Sequence, residues 1–276
     1  MIYSFGLLLP LIGKEFDVGK TEASLIHTLM TVMTLGSAPV VAEATKRFGH
    51  RAVSVAGTLL AMAGLAAAGL YISFADEPAI VVLYICVGGF TGFGFGMMYL
   101  PAIDIVEHWF SRRLGLANGI AAAGSGLGQF IIAPLLQFIQ QNLSLSHTFF
   151  CLVGLVTIAL PFVSIYRTPT RPEMEGAELQ ELQELKVKEA QLFDVEGEGG
   201  GKIKCGSYLE LLRCPAALSL LAAYFLLDLG ISSVPVFTTD RAEAGGLTGP
   251  TASLLLSTMG ATNCLSRVLW GHVMDR

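Results

Sequence analysis

Arg267 and Asn263 stand one helical turn apart inside the apolar stretch Pro250–His272 near the end of the chain. A fixed cation in such a run is costly and marks a functional site by default. The i, i+4 spacing puts the amide on the arginine's own helix face. There it can orient the guanidinium or a bound carboxylate through charge-assisted hydrogen bonds. This pair is the candidate substrate-binding site, and its ligand would be a small anion. The competing reading is a snorkelling arginine, because Arg267 lies only ~8 Å from the helix end by rise. Asp228, in Cys214–Phe237, has the chemistry to carry a coupling proton or to hydrogen-bond to neighbouring helices. It sits ~13 Å from Arg267 in depth by helical rise, which disfavours a direct pair. His27 reads as a packed neutral histidine rather than a proton relay. No HExxH, GxSxG or paired intramembrane carboxylates occur, so an enzyme is not expected. The five cysteines form no CxxC and have no histidine at metal spacing, so neither a metal site nor a cofactor is expected.

The elements that must position these residues are membrane spans. The chain is 53% hydrophobic and only 14% charged, against about 25% charged in a soluble domain. Its apolar runs are continuous and about as long as one helix needs to cross a bilayer. Since only helices or closed barrels satisfy the backbone inside lipid, they predict an all-α polytopic membrane protein. The segments are roughly Met1–Ile12, Ala23–Glu43, Ala52–Phe74, Pro78–Val106, Leu114–Ile139, Thr148–Tyr166, Cys214–Phe237 and Pro250–His272. The first is too short to span at ~1.5 Å per residue. It reads as the outer half of a span whose beginning is missing.

Three parts follow: an N-terminal transmembrane bundle over residues 1–166, a linker over 167–207, and the start of a C-terminal bundle over 208–276. The linker is rich in Glu, Gly and Pro and reads as a tether. Basic residues set the orientation. Lys46, Arg47, Arg51, Arg112 and Arg113, the linker cations and Arg276 fall on one side, and Lys14, Lys20 and Arg241 on the other. The first side is therefore expected to be cytosolic. The net charge of −5 gathers in the linker and so says little about partners; the bilayer is the expected surroundings, and no nucleic-acid partner is expected.

Gly88, Gly92 and Gly96 recur every four residues on one face of the fourth segment, and Gly124 and Gly128 repeat the device in the fifth, beside Gly119 and Gly126. Such faces let helix backbones approach closely where lipid supplies no hydrophobic drive. They serve either static packing or the sliding of helices in alternating access. Pro101, Pro134 and Pro235 each remove a backbone donor from their segment. Between the second and third segments, Lys46-Arg47-Phe48-Gly49-His50-Arg51 suits a tight reversal with cations at a helix C-terminus.

Several stretches together resemble known carriers. The Arg47-x-Gly49-x-Arg51 loop resembles the RxGxR element of the major facilitator superfamily. Gly271-His272-Val273-Met274-Asp275-Arg276 resembles the opening of that superfamily's GxxxDRxGR motif, which recurs because the two halves of the fold are repeats. Arg47, Gly49, Arg51, Asp275 and Arg276 are thus the expected gating-loop residues. His108-Trp109-Phe110-Ser111-Arg112-Arg113, leading to Leu116-Ala117-Asn118-Gly119 and Gly124-Ser125-Gly126, resembles the YFxKRRxLAxGxAxAG block of the monocarboxylate porter branch. Thr91-Gly92-Phe93-Gly94-Phe95-Gly96 with Tyr99-Leu100-Pro101-Ala102, and Lys14-Glu15-Phe16-Asp17, are similar to its fourth span and first-span exit.

The resemblance implies a partial major facilitator fold, about 7–8 of about 12 transmembrane helices, cut at both ends. It implies a plasma-membrane carrier of monocarboxylates or related small organic anions; a shortened, non-transporting or regulatory form is the alternative. An accessory membrane subunit is a further partner class that the residues do not specify. Proton-coupled members use a first-span lysine and an eighth-span Asp-x-x-x-Arg pair. Leu7 and Asn263 stand where the lysine and the acid belong, so facilitative or differently coupled transport is expected.

Overall fold

The computed structural model describes residues 2–75, 79–110, 113–166 and 249–275, with scattered positions between 218 and 246. The chain divides into two compact units, Met1–Thr168 with Pro235–Arg276, and Pro169–Val234. All the helices below belong to the first. Among the described residues there is no strand.

The first segment forms a 3-10 turn, Ile2–Leu7, and a short helix α1, Leu9–Glu15. The second segment was expected to be one helix, yet it is bent by 46° between α2, Lys20–Gly36, and α3, Ala38–Phe48. Pro39 is the cause: it has no N–H for a bond to Leu35, and its ring clashes with that carbonyl. Helix α4, His50–Phe74, follows after the single residue Gly49, whose φ of +83° suits a residue without Cβ.

The fourth segment runs as one span, Ile80–Trp109. It comprises α5, Ile80–Leu83, a π-helical stretch, Tyr84–Thr91, and α6, Gly92–Trp109. The Thr91 hydroxyl donates to the Cys86 carbonyl (3.0 Å), bridging five residues back along the widened turn. Helices α7, Leu114–Asn142, and α6 run unbroken through Pro134 and Pro101. Helices α8, Leu145–Thr157, and α9, Ala159–Ser164, complete the sixth segment. Among the described residues, four helical stretches are long and apolar enough to cross a membrane, or five if the bent α2–α3 pair is one span. The last described helix, α10, spans Gly249–Met274 and covers the eighth segment. It is not among those spans, in keeping with the Ser, Thr, Asn263 and Arg267 along it. The seventh segment falls almost entirely outside the described residues.

Buried Phe5, Ile12, Ile26, Leu65, Leu136 and Phe149 bring most of these helices to one core. Its tightest contacts are made by glycine. A Cβ on Gly94 would lie 2.6 Å from the Gly57 carbonyl oxygen and 2.7 Å from the Ala61 nitrogen, so α4 and α6 meet backbone to backbone. The opposite face of the fourth segment, Gly88, Gly92 and Gly96, rests on Leu29, Met30 and Thr34 of α2. Hydroxyls at these contacts bond within the protein: Thr34 donates to the carbonyls of Met30 (2.7 Å) and Gly92 (2.9 Å), stitching α2 to α6.

Gly124 and Gly128 behave differently. A Cβ at either position would meet nothing within 4 Å among the described residues. The packing face expected there is carried by Gly115, Gly119 and Gly126, because the neighbouring helix lies on that side of α7. One methyl group therefore separates two outcomes. Gly94→Ala is expected to destabilise by about 1–3 kcal/mol through overpacking. Gly124→Ala should be neutral or stabilise by up to about 1 kcal/mol through helix propensity. Equilibrium unfolding of both variants in detergent micelles measures the difference.

Candidate functional site

The site is built on the seam between α7 and α10. A Cβ on Gly115 would lie 2.9 Å from the Gly271 carbonyl, one on Gly119 2.6 Å from the Arg267 carbonyl, and one on Gly126 2.6 Å from the Gly260 carbonyl. Each advance along α7 is matched by an equal retreat along α10, so the helices are antiparallel and in register. Side chains could not fit between backbones this close, and small residues at helical spacing are what permit it. Deeper along the seam the buried Gln129 side-chain amide donates to the Leu256 carbonyl at 3.2 Å.

At one end a carboxylate closes the seam. Asp275 accepts hydrogen bonds from the backbone N–H groups of Gly115 (2.8 Å) and Leu116 (2.7 Å). Helix α7 has Arg113 at its N-cap, with no side-chain cap of its own, so its first amides would otherwise lack partners. Asp275 supplies the cap from another helix and places a negative charge at the positive end of the α7 dipole. The same residue stood out in sequence as a motif position. Its partner could have been suspected from the lack of Ser, Thr, Asp or Asn at the start of α7. The seam itself was missed, although Gly260 and Gly271 carry the matching signal on α10.

Arg267 and Asn263 lie on the same α10 turn as expected, with Arg267 Nε donating to Asn263 Oδ1 at 2.7 Å. Both are partly buried. That bond uses Nε alone, and a guanidinium carries four further N–H donors on its terminal nitrogens. Arg267 is thus held from one side by an amide, with its backbone pressed against Gly119. Leu7 is buried in the apolar core, only 4% exposed. His27 is also buried, its ring 5.6 Å from that of Phe5. Asp228 and Arg276 lie outside the described residues.

In the loop between α3 and α4, Gly49 makes the reversal, and Arg47 pairs with Glu43 at 2.9 Å on an exposed helix face. Arg51 is exposed. His50, at the start of α4, is joined to Asp104 of α6, Nε2 to Oδ2 at 2.6 Å. The basic loop and the motif at the end of α10 are therefore anchored by different chemistry, one through an imidazole and one through helix amides.

Asp275→Ala should expose the Gly115 and Leu116 amides. Their hydrogen exchange is expected to accelerate about fivefold or more, from loss of a cap worth roughly 1 kcal/mol or more. Asp275→Asn, which keeps an acceptor oxygen, should show a smaller change. Exchange mass spectrometry over the start of α7 measures both.

The model of the Major Facilitator Superfamily matches residues 1–276. Among curated proteins, the chain is 28% identical over 261 residues to Monocarboxylate transporter 4 of Gallus gallus, covering 94% of this chain and 50% of that protein. It is 28% identical over 269 residues to Monocarboxylate transporter 12 of Mus musculus, with 95% and 54% covered. The corresponding human protein is 27% identical over 272 residues, with 95% and 51% covered. The chain spans about half the length of the curated relatives it matches. With a family match along its whole length and a helical fold of apolar spans, the chain belongs to the major facilitator superfamily and is a multi-pass membrane protein.

Proposed function

We propose that this chain supplies one half, and the opening of the other, of a secondary carrier for monocarboxylates or related small organic anions, working by alternating access. The observation that carries this reading is the glycine seam of α7 and α10 with its Asp275 clasp. A seam of backbone against backbone has no interlocking side chains to obstruct rocking. A two-bond clasp at the end expected to face the cytosol is a latch of modest strength, which holds one state without trapping it. Opening to the cytosol requires Asp275 to leave the α7 amides, and closing restores the bonds.

Arg267 supplies the attraction for the substrate carboxylate, and Asn263 fixes the guanidinium through its Nε bond. A planar, permanently charged guanidinium suits bidentate carboxylate recognition. Asn263 cannot ionise, so it leaves that charge uncompensated for the anion. Asp228 is the residue to which proton coupling would fall, if the carrier couples to protons. The similarity to monocarboxylate transporters supports the carboxylate class and a plasma-membrane location.

The experiment is uptake of a radiolabelled short-chain monocarboxylate into proteoliposomes holding the full chain. Arg267→Ala is expected to raise KM at least about tenfold, the scale of one lost charged hydrogen-bonding contact. Arg267→Lys should recover only part of it, because the ammonium lacks the fork geometry. Unchanged affinity in Arg267→Ala would sink the assignment of the anion site.

A further inference from the structure

We propose that His50, Asp104 and His108 form a binding site for a divalent transition-metal ion, Zn2+ above all, tying the first residue of α4 to the last turns of α6. The sequence alone gave no such expectation, because the three residues are split between two helices. In the fold, one ligand atom from each lies within 4.8 Å of the other two. His50 is buried, while Asp104 and His108 are half-exposed, so the cluster has a fixed wall and an open side.

The details suit a metal. Asp104 and His108 are four residues apart, on one face of α6. The imidazoles of His50 and His108 meet edge to face, with ring centroids 5.3 Å apart. His108 Nδ1 lies 2.8 Å from the Asp104 backbone carbonyl. A carbonyl can only accept, so Nδ1 carries the proton and Nε2 is left with its lone pair for an ion. A ligating histidine whose other nitrogen donates to a backbone carbonyl is the usual arrangement around bound metals. Asp104 already bonds His50 at 2.6 Å.

The donor set selects the ion. Two imidazoles and one carboxylate, with water in a fourth position, match tetrahedral Zn2+. Ca2+ needs six or more oxygens, and Mg2+ an octahedron of them. Ligands around tetrahedral Zn2+ stand about 3.3 Å apart, from bonds of about 2.0–2.1 Å. The ligand atoms here lie within 4.8 Å of one another, so binding would draw them closer, and the half-exposed Asp104 and His108 side chains are the ones with room to move.

Binding would fix the ends of α4 and α6 to each other, next to the Gly49 reversal and beyond the Gly57–Gly94 contact. The test uses the purified full chain in detergent, stripped of metal with a chelator. Zn2+ is titrated by calorimetry, and Co2+ by its visible absorption. The expected result is one ion per chain at this site, with a Co2+ spectrum of nitrogen and oxygen ligation and no thiolate charge-transfer band.

Because His50 is buried, the deciding variants are His108→Ala and Asp104→Asn, both at half-exposed positions and both checked for helical circular dichroism. Each should weaken Zn2+ at least about tenfold. His147→Ala, at an exposed position in the first turn of α8, should leave binding unchanged. Equal affinity in wild type and either deciding variant overturns the site. So does a folded wild-type chain that takes up no ion at micromolar Zn2+.

Discussion

Close approach of helix backbones is the constraint on which the rest of this structure depends. In a bilayer the hydrophobic effect does not press helices together, so they associate through short-range contact and buried hydrogen bonds. Both fall off within an ångström or so, which makes glycine the residue that decides which helices pair. Gly57 and Gly94 bring α4 against α6, Gly92 and Gly96 bring α6 against α2, and Gly115, Gly119 and Gly126 bring α7 against α10. The π-helical stretch Tyr84–Thr91 belongs to the same logic. It lies where the Cys86 carbonyl and Thr91 meet Gly64 of α4 at under 3 Å from an added Cβ. The extra residue in its turn adjusts which side of the span faces α2 and which faces α4.

Polar chemistry is confined to what this packing leaves available. Hydroxyls in the core commonly turn back to carbonyls of their own helix, as Thr58 does to Ser54 at 2.8 Å, although the buried Ser54 hydroxyl itself has no hydrogen-bond partner among the described residues. Charge appears at helix ends, where amides or partly exposed partners meet it. Asp275 uses the unpaired amides of α7 as its counterpart, and Asp104 uses His50. Among the described residues, Arg267 is the exception within a helix. Its only described side-chain bond is to a neutral amide, which orients the guanidinium.

The third to sixth segments were legible as spans because their length and continuous apolarity are set by the bilayer, a constraint that each of them meets by itself. Arg267 with Asn263 was legible for a similar reason, since i, i+4 neighbours on one helix need no knowledge of the fold. What could not be read depended on partners far apart in sequence. Gly124 and Gly128 have the same spacing as a packing face, yet the side of α7 that is covered is decided by α10. The 46° bend between α2 and α3 had a visible cause in Pro39. Pro101 and Pro134, chemically identical, sit in helices that continue, so local chemistry proposes a break and packing decides it. The His50, Asp104 and His108 cluster has no spacing signature, because α4 and α6 bring it together from either side of a whole span.

The two copies of the loop motif show how one pattern can be put to different uses. Aligned on Arg47 and Gly49, the first copy has Lys46 where the second has Asp275, and His50 where the motif ends in arginine. A lysine cannot cap a helix N-terminus, because it offers no acceptor and brings charge of the wrong sign to the dipole. The first loop therefore cannot form the clasp made by the second, whatever helix lies near it. Its anchor is instead the imidazole of His50 on Asp104, within the packed pair α4 and α6. Both anchors join helices already held by glycine contact, but His50 ties one side chain to another, whereas Asp275 takes up the first backbone amides of α7 beside the Gly115–Gly271 contact. Releasing the first would loosen a corner; releasing the second would free a helix terminus. In the alternating-access cycle proposed here, opening would therefore begin at the second copy, whose release uncaps α7, rather than at the basic loop that is easier to recognise.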